Sequence, residues 1–517
     1  MIASESLPQD FNVATWFVDR NVAEGRGARP AFHYEGRVLT YADVQDLANR
    51  TGNALRELGV GMEDRVWMCC LDAPEFLGTF WGAIKLGAIP VPSNTLLRAA
   101  DYVYFLRDSR AQVAVVSAAL LPEVGPALGQ SPWLRHVLVA GGPAGQYQGW
   151  EDLVGKASAR LEAAPTSRDD AAFWMYSSGS TGRPKGIVHL QHDMAYSEQA
   201  FARNVLKLTS DDICFSVPKI FFAYGFGNAI TFPFSVGAAT LLLPGQPKPA
   251  TIFEAIGKYR PSIFYGLPTL YTSLTKAEGA AATDFSSLRM ALSAAEVLSA
   301  EVFNGWKALT GLEIIEGLGS TEALHIYLSN RPEKKKLGAA GLRVPGYEIV
   351  LKDKDGREVG DNEEGILWVR GDSNTPLYWN RPDKSAETIR EGGWIYTGDR
   401  FLRDADGFHF FRGRADDLIK ISGQWVYPLE VELCLAEHPD IRECAVFAAE
   451  LPDRRMTLKA VVVMNKGEFD TRDATKTLQD YVKAKLLPYK YPREIRFIAE
   501  LPKTGTGKID RQALMKM

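Results

Sequence analysis

Cysteine is scarce in this chain, and its pattern is not that of a framework. Cys69, Cys70, Cys214, Cys434 and Cys444 are scattered and odd in number, with no C-x-x-C spacing and no histidine cluster nearby. That excludes a disulfide scaffold and a thiolate metal site, and predicts reduced, mostly buried thiols in a cytoplasmic protein. An excess of positive charge is missing too. Lys and Arg number 59 against 63 Asp and Glu, a net charge of −4, so no basic field draws the chain to nucleic acid or to an anionic membrane. The N-terminus, Met1-Ile-Ala-Ser-Glu-Ser, lacks the basic start and apolar core of a secretory signal. Residues 221–243 carry no charge, but Gly225, Gly227, Asn228, Pro233, Ser235 and Gly237 interrupt them. They read as a buried glycine-bearing helix followed by a strand, not as a membrane span. No internal repeat or low-complexity tract is present.

What is there belongs to a soluble protein with a large core: 46% hydrophobic and 24% charged residues over 517 positions, enough for several domains. Apolar, β-rich runs beginning at Val66, Val113, Val137, Thr240, Ser262, Met290 and Glu313 alternate with helical patterns such as residues 41–58 and 250–259. That alternation predicts layered α/β structure. Between Tyr347 and Phe411 helices nearly vanish, and short strands separated by Asp-Gly and Gly-Gly turns predict a small β-barrel or meander. From about Asp416 onward, two strands and two helices form a compact α+β unit of about 100 residues, large enough to fold as a domain. The expected organisation is therefore an N-terminal domain over 1–415 and a C-terminal domain over 416–517. The run Glu333-Lys-Lys-Lys336 reads as a solvated turn.

The segment Tyr176-Ser-Ser-Gly-Ser-Thr-Gly-Arg-Pro-Lys-Gly186 follows the apolar run Ala171-Ala-Phe-Trp-Met175. Hydroxyls, bare backbone N–H groups and cations gathered in one small volume suit nucleotide phosphates. The kinase and ATPase P-loop does not fit, because Lys185 is followed by Gly186 rather than Ser or Thr. Taken alone, a flexible Ser/Gly/Pro linker is the competing reading.

Four further motifs decide between them: Gly317-Leu-Gly-Ser-Thr-Glu322, Tyr396-Thr-Gly-Asp399, Phe411-Arg-Gly-Arg-Ala-Asp-Asp-Leu-Ile-Lys-Ile-Ser-Gly423 and Pro502-Lys-Thr-Gly-Thr-Gly-Lys-Ile-Asp-Arg511. With the loop they make five motifs in one order, and nearly the whole chain resembles the adenylate-forming superfamily of acyl-CoA synthetases, nonribosomal adenylation domains and firefly luciferase. The resemblance implies that ATP and Mg²⁺ convert a carboxylate to an acyl-AMP, from which a thiol displaces AMP. It implies that Ser177, Ser178, Gly179, Ser180, Thr181, Gly182 and Lys185 hold the β- and γ-phosphates. Thr321 would donate to the α-phosphate, and Glu322, with Thr181, would hold Mg²⁺. Ser293-Ala-Ala-Glu296 (Ala294, Ala295 and Glu296 in particular) and Glu316, Gly317, Leu318, Gly319 and Ser320 would wall the adenine slot. Asp399, with Arg414 nearby, would take the ribose hydroxyls. Glu322 could instead cap a helix beginning at Ser320. Lys508 would bridge carboxylate and α-phosphate as charge moves between them. Asp416 matches the hinge on which the C-terminal domain turns, and Ser422 and Gly423 flank the pantetheine tunnel of coenzyme A.

The segments Lys219-Ile-Phe-Phe-Ala-Tyr-Gly-Phe-Gly-Asn228 and Gly317-Leu-Gly-Ser-Thr-Glu-Ala-Leu-His-Ile-Tyr-Leu-Ser-Asn330 look like the benzoate-CoA ligase branch. There Phe222, Ala223, Tyr224, Gly319, His325 and Ile326 would line a pocket for a flat ring, His325 and Ile326 at its far end. His325 as a plain core histidine is the competing reading, and one of Phe221 and Phe222 is expected to pack inward. The implied substrates are benzoate or a substituted benzoate such as 4-hydroxybenzoate or 2-aminobenzoate; another cyclic or short-chain acid is the alternative. Only six residues follow Arg511, which favours free coenzyme A as acceptor over a fused carrier domain. A free-standing loader of a carrier protein and a catalytically dead adenylate sensor are the other readings. A rate-determining lysine in a glycine-rich segment is also an expected target for a lysine acetyltransferase. Either a monomer or a homodimer accommodates these parts.

Overall fold

The computed structural model describes residues 4–177, 183–415, 419–421, 424–450, 456–465, 470–503 and 509–517. Two mostly parallel sheets dominate the first 345 residues. One is five-stranded and all parallel, in the order Ile89–Pro92, Arg65–Cys69, Val113–Ser117, His136–Ala140, Gln148–Gly149. Val113–Ser117 is buried along its whole length, as a strand covered on both faces must be, which is why it reads as a continuous apolar run.

The other sheet has nine strands. Its centre is Ile314–Gly319, Met290–Ser293, Ile263–Gly266, Ile213–Ser216, Ala239–Leu242 and Pro30–Tyr34, all parallel neighbours. Antiparallel strands close both edges: Ile326–Ser329 and Leu342–Arg343 on one side, Arg37–Thr40 on the other. The expected helices stand at Tyr41–Glu57 and Pro249–Tyr259. The first begins in a reciprocal cap: Asp43 N–H donates to Thr40 Oγ1 at 3.2 Å and Thr40 N–H donates to Asp43 Oδ2 at 2.7 Å.

The uncharged stretch forms three consecutive helical pieces, Ala223–Phe226, Gly227–Thr231 and Phe232–Val236, followed by the strand Ala239–Leu242. The middle piece is widened to a π-helical turn, a feature frequent at functional sites. Among the described residues no helix is long and apolar enough to cross a membrane. All five cysteines are free and buried.

The β-rich stretch is a five-stranded antiparallel sheet. Glu348–Lys352, Glu364–Arg370 and Trp394–Arg403 pair in turn, and Ile389–Arg390 and His409–Arg414 both pair with Trp394–Arg403. The lysine turn is largely exposed but not free of partners: Lys336 pairs with Asp404 and Asp406, and Lys335 with Glu313. Beyond Tyr427, helices Pro428–Ala436 and Thr471–Lys485 pack on a three-stranded sheet of Ile441–Glu450, Met456–Met464 and Glu494–Phe497. This unit has its own core around Val431, Leu435, Val446, Val462 and Leu478. Asp416, the expected hinge, lies outside the described residues.

Candidate active site

The C-terminal ends of the nine-stranded sheet's parallel strands open into a cavity of about 1940 Å³, where open α/β sheets place ligands. Ser177, Lys185, Ala294, Ala295, Glu296, the run 316–322, Asp399 and Arg414 border it. So do Phe222, Ala223, Tyr224, His325 and Ile326. Residues spread over more than 230 positions thus share one space. Ser178, Gly179, Ser180, Thr181, Gly182, Ser422, Gly423 and Lys508 lie outside the described residues.

The glycine-rich segment begins and ends on paired strands, Ala171–Ser177 and Lys185–Leu190, with Ser177 opposite Lys185. Lys185 Nζ stands 4.3 Å from the centre of the Tyr378 ring, and the Tyr378 hydroxyl donates to Glu322 Oε1 at 2.8 Å. Tyr378 therefore joins two of the expected phosphate and metal residues. Nothing in Leu377-Tyr378-Trp379-Asn380 announced it, since its partner is 56 positions away.

Strand Ile314–Gly319 delivers the next motif. Gly319 is required there, because a Cβ would stand 2.3 Å from the His325 carbonyl oxygen. Ala323 N–H donates to Ser320 Oγ at 3.2 Å, yet residues 321–325 form a turn and no helix starts there. The helix-capping alternative for Glu322 fails on that observation. Glu316 is buried on the cavity wall, and desolvation pushes its carboxyl up to about 8 despite the Leu298 N–H donated at 3.3 Å. Ala295 holds a left-handed φ of 72° without being glycine, local strain of the kind that collects at ligand sites.

Across the cavity, Asp399 and Arg414 face each other on paired strands, with Arg414 Nη1 3.2 Å from Asp399 Oδ1. At the apolar end, Phe221 is buried in the core and Phe222 borders the cavity, the division expected of that pair. His325 is wedged between Phe232, with ring centroids at 4.4 Å, and Phe201 and Tyr224, each at 5.7 Å. Gly227 makes room for it: a Cβ there would stand 2.4 Å from the imidazole. Burial pushes His325 down to about 3, so the ring is neutral. Its Nε2 faces the Tyr224 carbonyl at 3.3 Å and carries the hydrogen, which leaves Nδ1 an acceptor with no partner among the described residues. The plain core reading of His325 explains its packing but not its position on the cavity wall.

A nucleotide-sized acidic and basic end joined to an aromatic-lined end defines an enzyme of the adenylate-forming class. The chain belongs to the family of AMP-binding enzymes, whose pattern matches residues 19–379, with the AMP-binding enzyme C-terminal domain matching residues 430–508. It is similar to the benzoate–CoA ligase of Thauera aromatica, 43% identical over 508 residues that cover 98% of this chain and 96% of the relative. It is similar also to the 4-hydroxybenzoate–CoA/benzoate–CoA ligase of Rhodopseudomonas palustris, 38% identical over 98% of this chain and 94% of that one. The crystal structure of the anthranilate CoA ligase AuaEII in complex with anthranoyl-AMP superposes with a TM-score of 0.94 at 38% identity, covering 100% of this chain and 98% of that one.

Proposed function

We propose that this protein activates an aromatic carboxylic acid as its acyl-adenylate and transfers the acyl group to coenzyme A, releasing pyrophosphate and AMP. The observation that carries the reading is the shared cavity: Phe222, Tyr224, His325 and Ile326 at one end and the 316–322 run, Asp399 and Arg414 at the other. A carboxylate resists nucleophiles because of its charge, and joining it to AMP supplies a good leaving group. The protein's task is to bring the carboxylate in line with the α-phosphorus and spread the charge that develops there.

Ser177, Lys185 and the intervening loop take the terminal phosphates, Thr321 the α-phosphate, and Asp399 the ribose. Magnesium accompanies ATP. Glu322 suits it: Tyr378 occupies one carboxylate oxygen and the other accepts no hydrogen bond among the described residues, which matches an ion usually held by one or two carboxylates and substrate phosphates. Lys508 neutralises the reacting centre. Ile326 and the His325 ring close the far end and favour benzoate, while Tyr224 Oη and His325 Nδ1 can meet a small hydroxyl or amino group. One such group changes discrimination by only about 1–3 kcal/mol, so related benzoates should share the site.

Incubation with ATP, Mg²⁺, benzoate and coenzyme A should yield equal amounts of AMP and benzoyl-CoA. AMP release that requires a carrier protein would reassign the acceptor, and ATP binding without turnover across a panel of aryl acids would overturn the reading. Replacing Lys508 by Ala should lower pyrophosphate exchange by about 10²–10³-fold; undiminished exchange would remove its catalytic role.

A further inference from the structure

Behind Thr321 and Glu322 lies a buried pair outside every motif discussed above. His189, on strand Lys185–Leu190, has no exposed surface, and its Nδ1 is 2.7 Å from Oδ2 of the equally buried Asp193. Its Nε2 is 2.8 Å from the carbonyl oxygen of Thr321. The Thr321 carbonyl only accepts, so Nε2 donates to it. Leu190 N–H adds a second bond to the same Asp193 oxygen at 3.0 Å, and His192 Nε2 stands 3.2 Å from the other.

The contact acts on a turn that is held at every residue. Thr321 O receives His189 Nε2 and Leu324 N–H, the latter at 3.0 Å. Glu322 O receives Thr375 N–H at 2.7 Å, and Ala323 O receives the Ser373 hydroxyl at 2.9 Å. Leu324, within the turn, has a φ of +67°, a strained backbone that persists where its surroundings over-determine it. Of these partners, His189 is the one on the strand that leaves the glycine-rich loop. It fixes the distance between the strand carrying Lys185 and the turn carrying Thr321 and Glu322.

We propose that His189, braced by Asp193, is a positioning residue that holds the Thr321–Glu322 turn in register with the strand carrying Lys185 for binding of Mg-ATP. The inference rests on the functional reading above, because it assigns those two residues to the α-phosphate and the metal. Supporting groups of this kind are typically worth about 10–100-fold in metal affinity or activity.

The test is calorimetric titration of the full-length protein with Mg²⁺ and a non-reacting ATP analogue, beside pyrophosphate exchange and thermal unfolding. His189→Ala should weaken Mg-dependent analogue binding and exchange by about 10–100-fold. His189→Gln, which keeps one donor for the Thr321 carbonyl, should recover part of that loss, and Asp193→Asn should fall between the two. Analogue affinity within about twofold of wild type would overturn the proposal, as would an exchange loss that only follows the folded fraction. If His189→Ala does not accumulate as folded protein, the same titration on Asp193→Asn decides, with weaker Mg-dependent binding in favour and unchanged binding against. Wild-type protein that binds Mg-ATP but activates no aryl acid would overturn the functional reading instead, leaving the titration to judge His189.

Discussion

Glu316 places a carboxyl group where ionisation is unfavourable, and that gives the molecule a pH dependence opposite to that contributed by the buried His325. Desolvation raises Glu316 from an ordinary 4.5 to about 8, so between those values the folded state binds more protons than the unfolded one. Its contribution to stability is full below about pH 4.5 and is lost as pH rises through 8. His325, pushed by burial from 6.5 to about 3, works the other way: its contribution is full above 6.5 and lost as pH falls toward 3. Glu316→Gln should therefore stabilise the protein at pH 8–9 by about 1–3 kcal/mol, the usual penalty of an uncompensated buried polar group. It should change little at pH 4.5, where the wild-type carboxyl is protonated in the folded state and about half protonated in the unfolded one. Denaturant unfolding at the two pH values checks this, and an equal effect at both would mean that ionisation of Glu316 is not the cause.

At the scale of elements, the two strands that bracket the glycine-rich loop are clamped from outside. The Tyr176 hydroxyl donates to Asp108 Oδ2 at 2.9 Å, and Arg381 reaches Asp108 Oδ1 at 3.3 Å and Tyr104 Oη at 2.8 Å. Tyr104 Oη donates to Pro184 O at 2.7 Å, and Trp379 N–H to Gly186 O at 2.7 Å while its ring N–H bonds Asp108 O at 2.9 Å. Asp108 thus ties the entry of the loop to its exit. Asp108→Ala should raise KM for ATP by about tenfold through lost orientation and leave KM for the acid nearly unchanged. A parallel rise in both constants, measured by initial rates, would point to general loosening. None of this clamp was legible in the sequence, nor were Tyr378 and His189. Apart from Asp193 beside His189, their partners lie 56 to 277 positions away, and a lone Tyr, Asp or His has no spacing that reveals them. The strands from Val66 to Glu313 and the helices at 41 and 249 were legible because burial on both faces, or on one stripe, imprints a period on the residues themselves. The cavity-facing residues were legible through motif order alone, since Ala294 or Leu318 has no chemistry that periodicity would single out.

At the scale of the molecule, two units with separate cores share one cavity. The C-terminal unit borders it with Leu433, Glu437, Arg442, Glu443, Glu500 and Lys503, mostly charged residues. A polar boundary of that kind permits two packed bodies to change their relative orientation at little cost. The proposed adenylation step brings Lys508, seven residues before the end of the helix Arg511–Met515, to a site whose proposed ribose and α-phosphate residues belong to the first unit. On the proposed mechanism the thioester step would have that charge withdrawn and a path for a thiol opened, so one arrangement would not serve both steps. The chain between the units is where such a rotation would be absorbed, and Asp416 stands there in sequence. Proline fixes φ and removes one of the two soft dihedrals on which such a turn depends. Asp416→Pro should leave pyrophosphate exchange with ATP and benzoate close to wild type and slow benzoyl-CoA formation from supplied benzoyl-AMP severalfold or more. Stopped assays of the two half-reactions separate these outcomes. Equal loss in both would place the effect on folding or on the first step, and the pivot would have to be sought elsewhere in the connection.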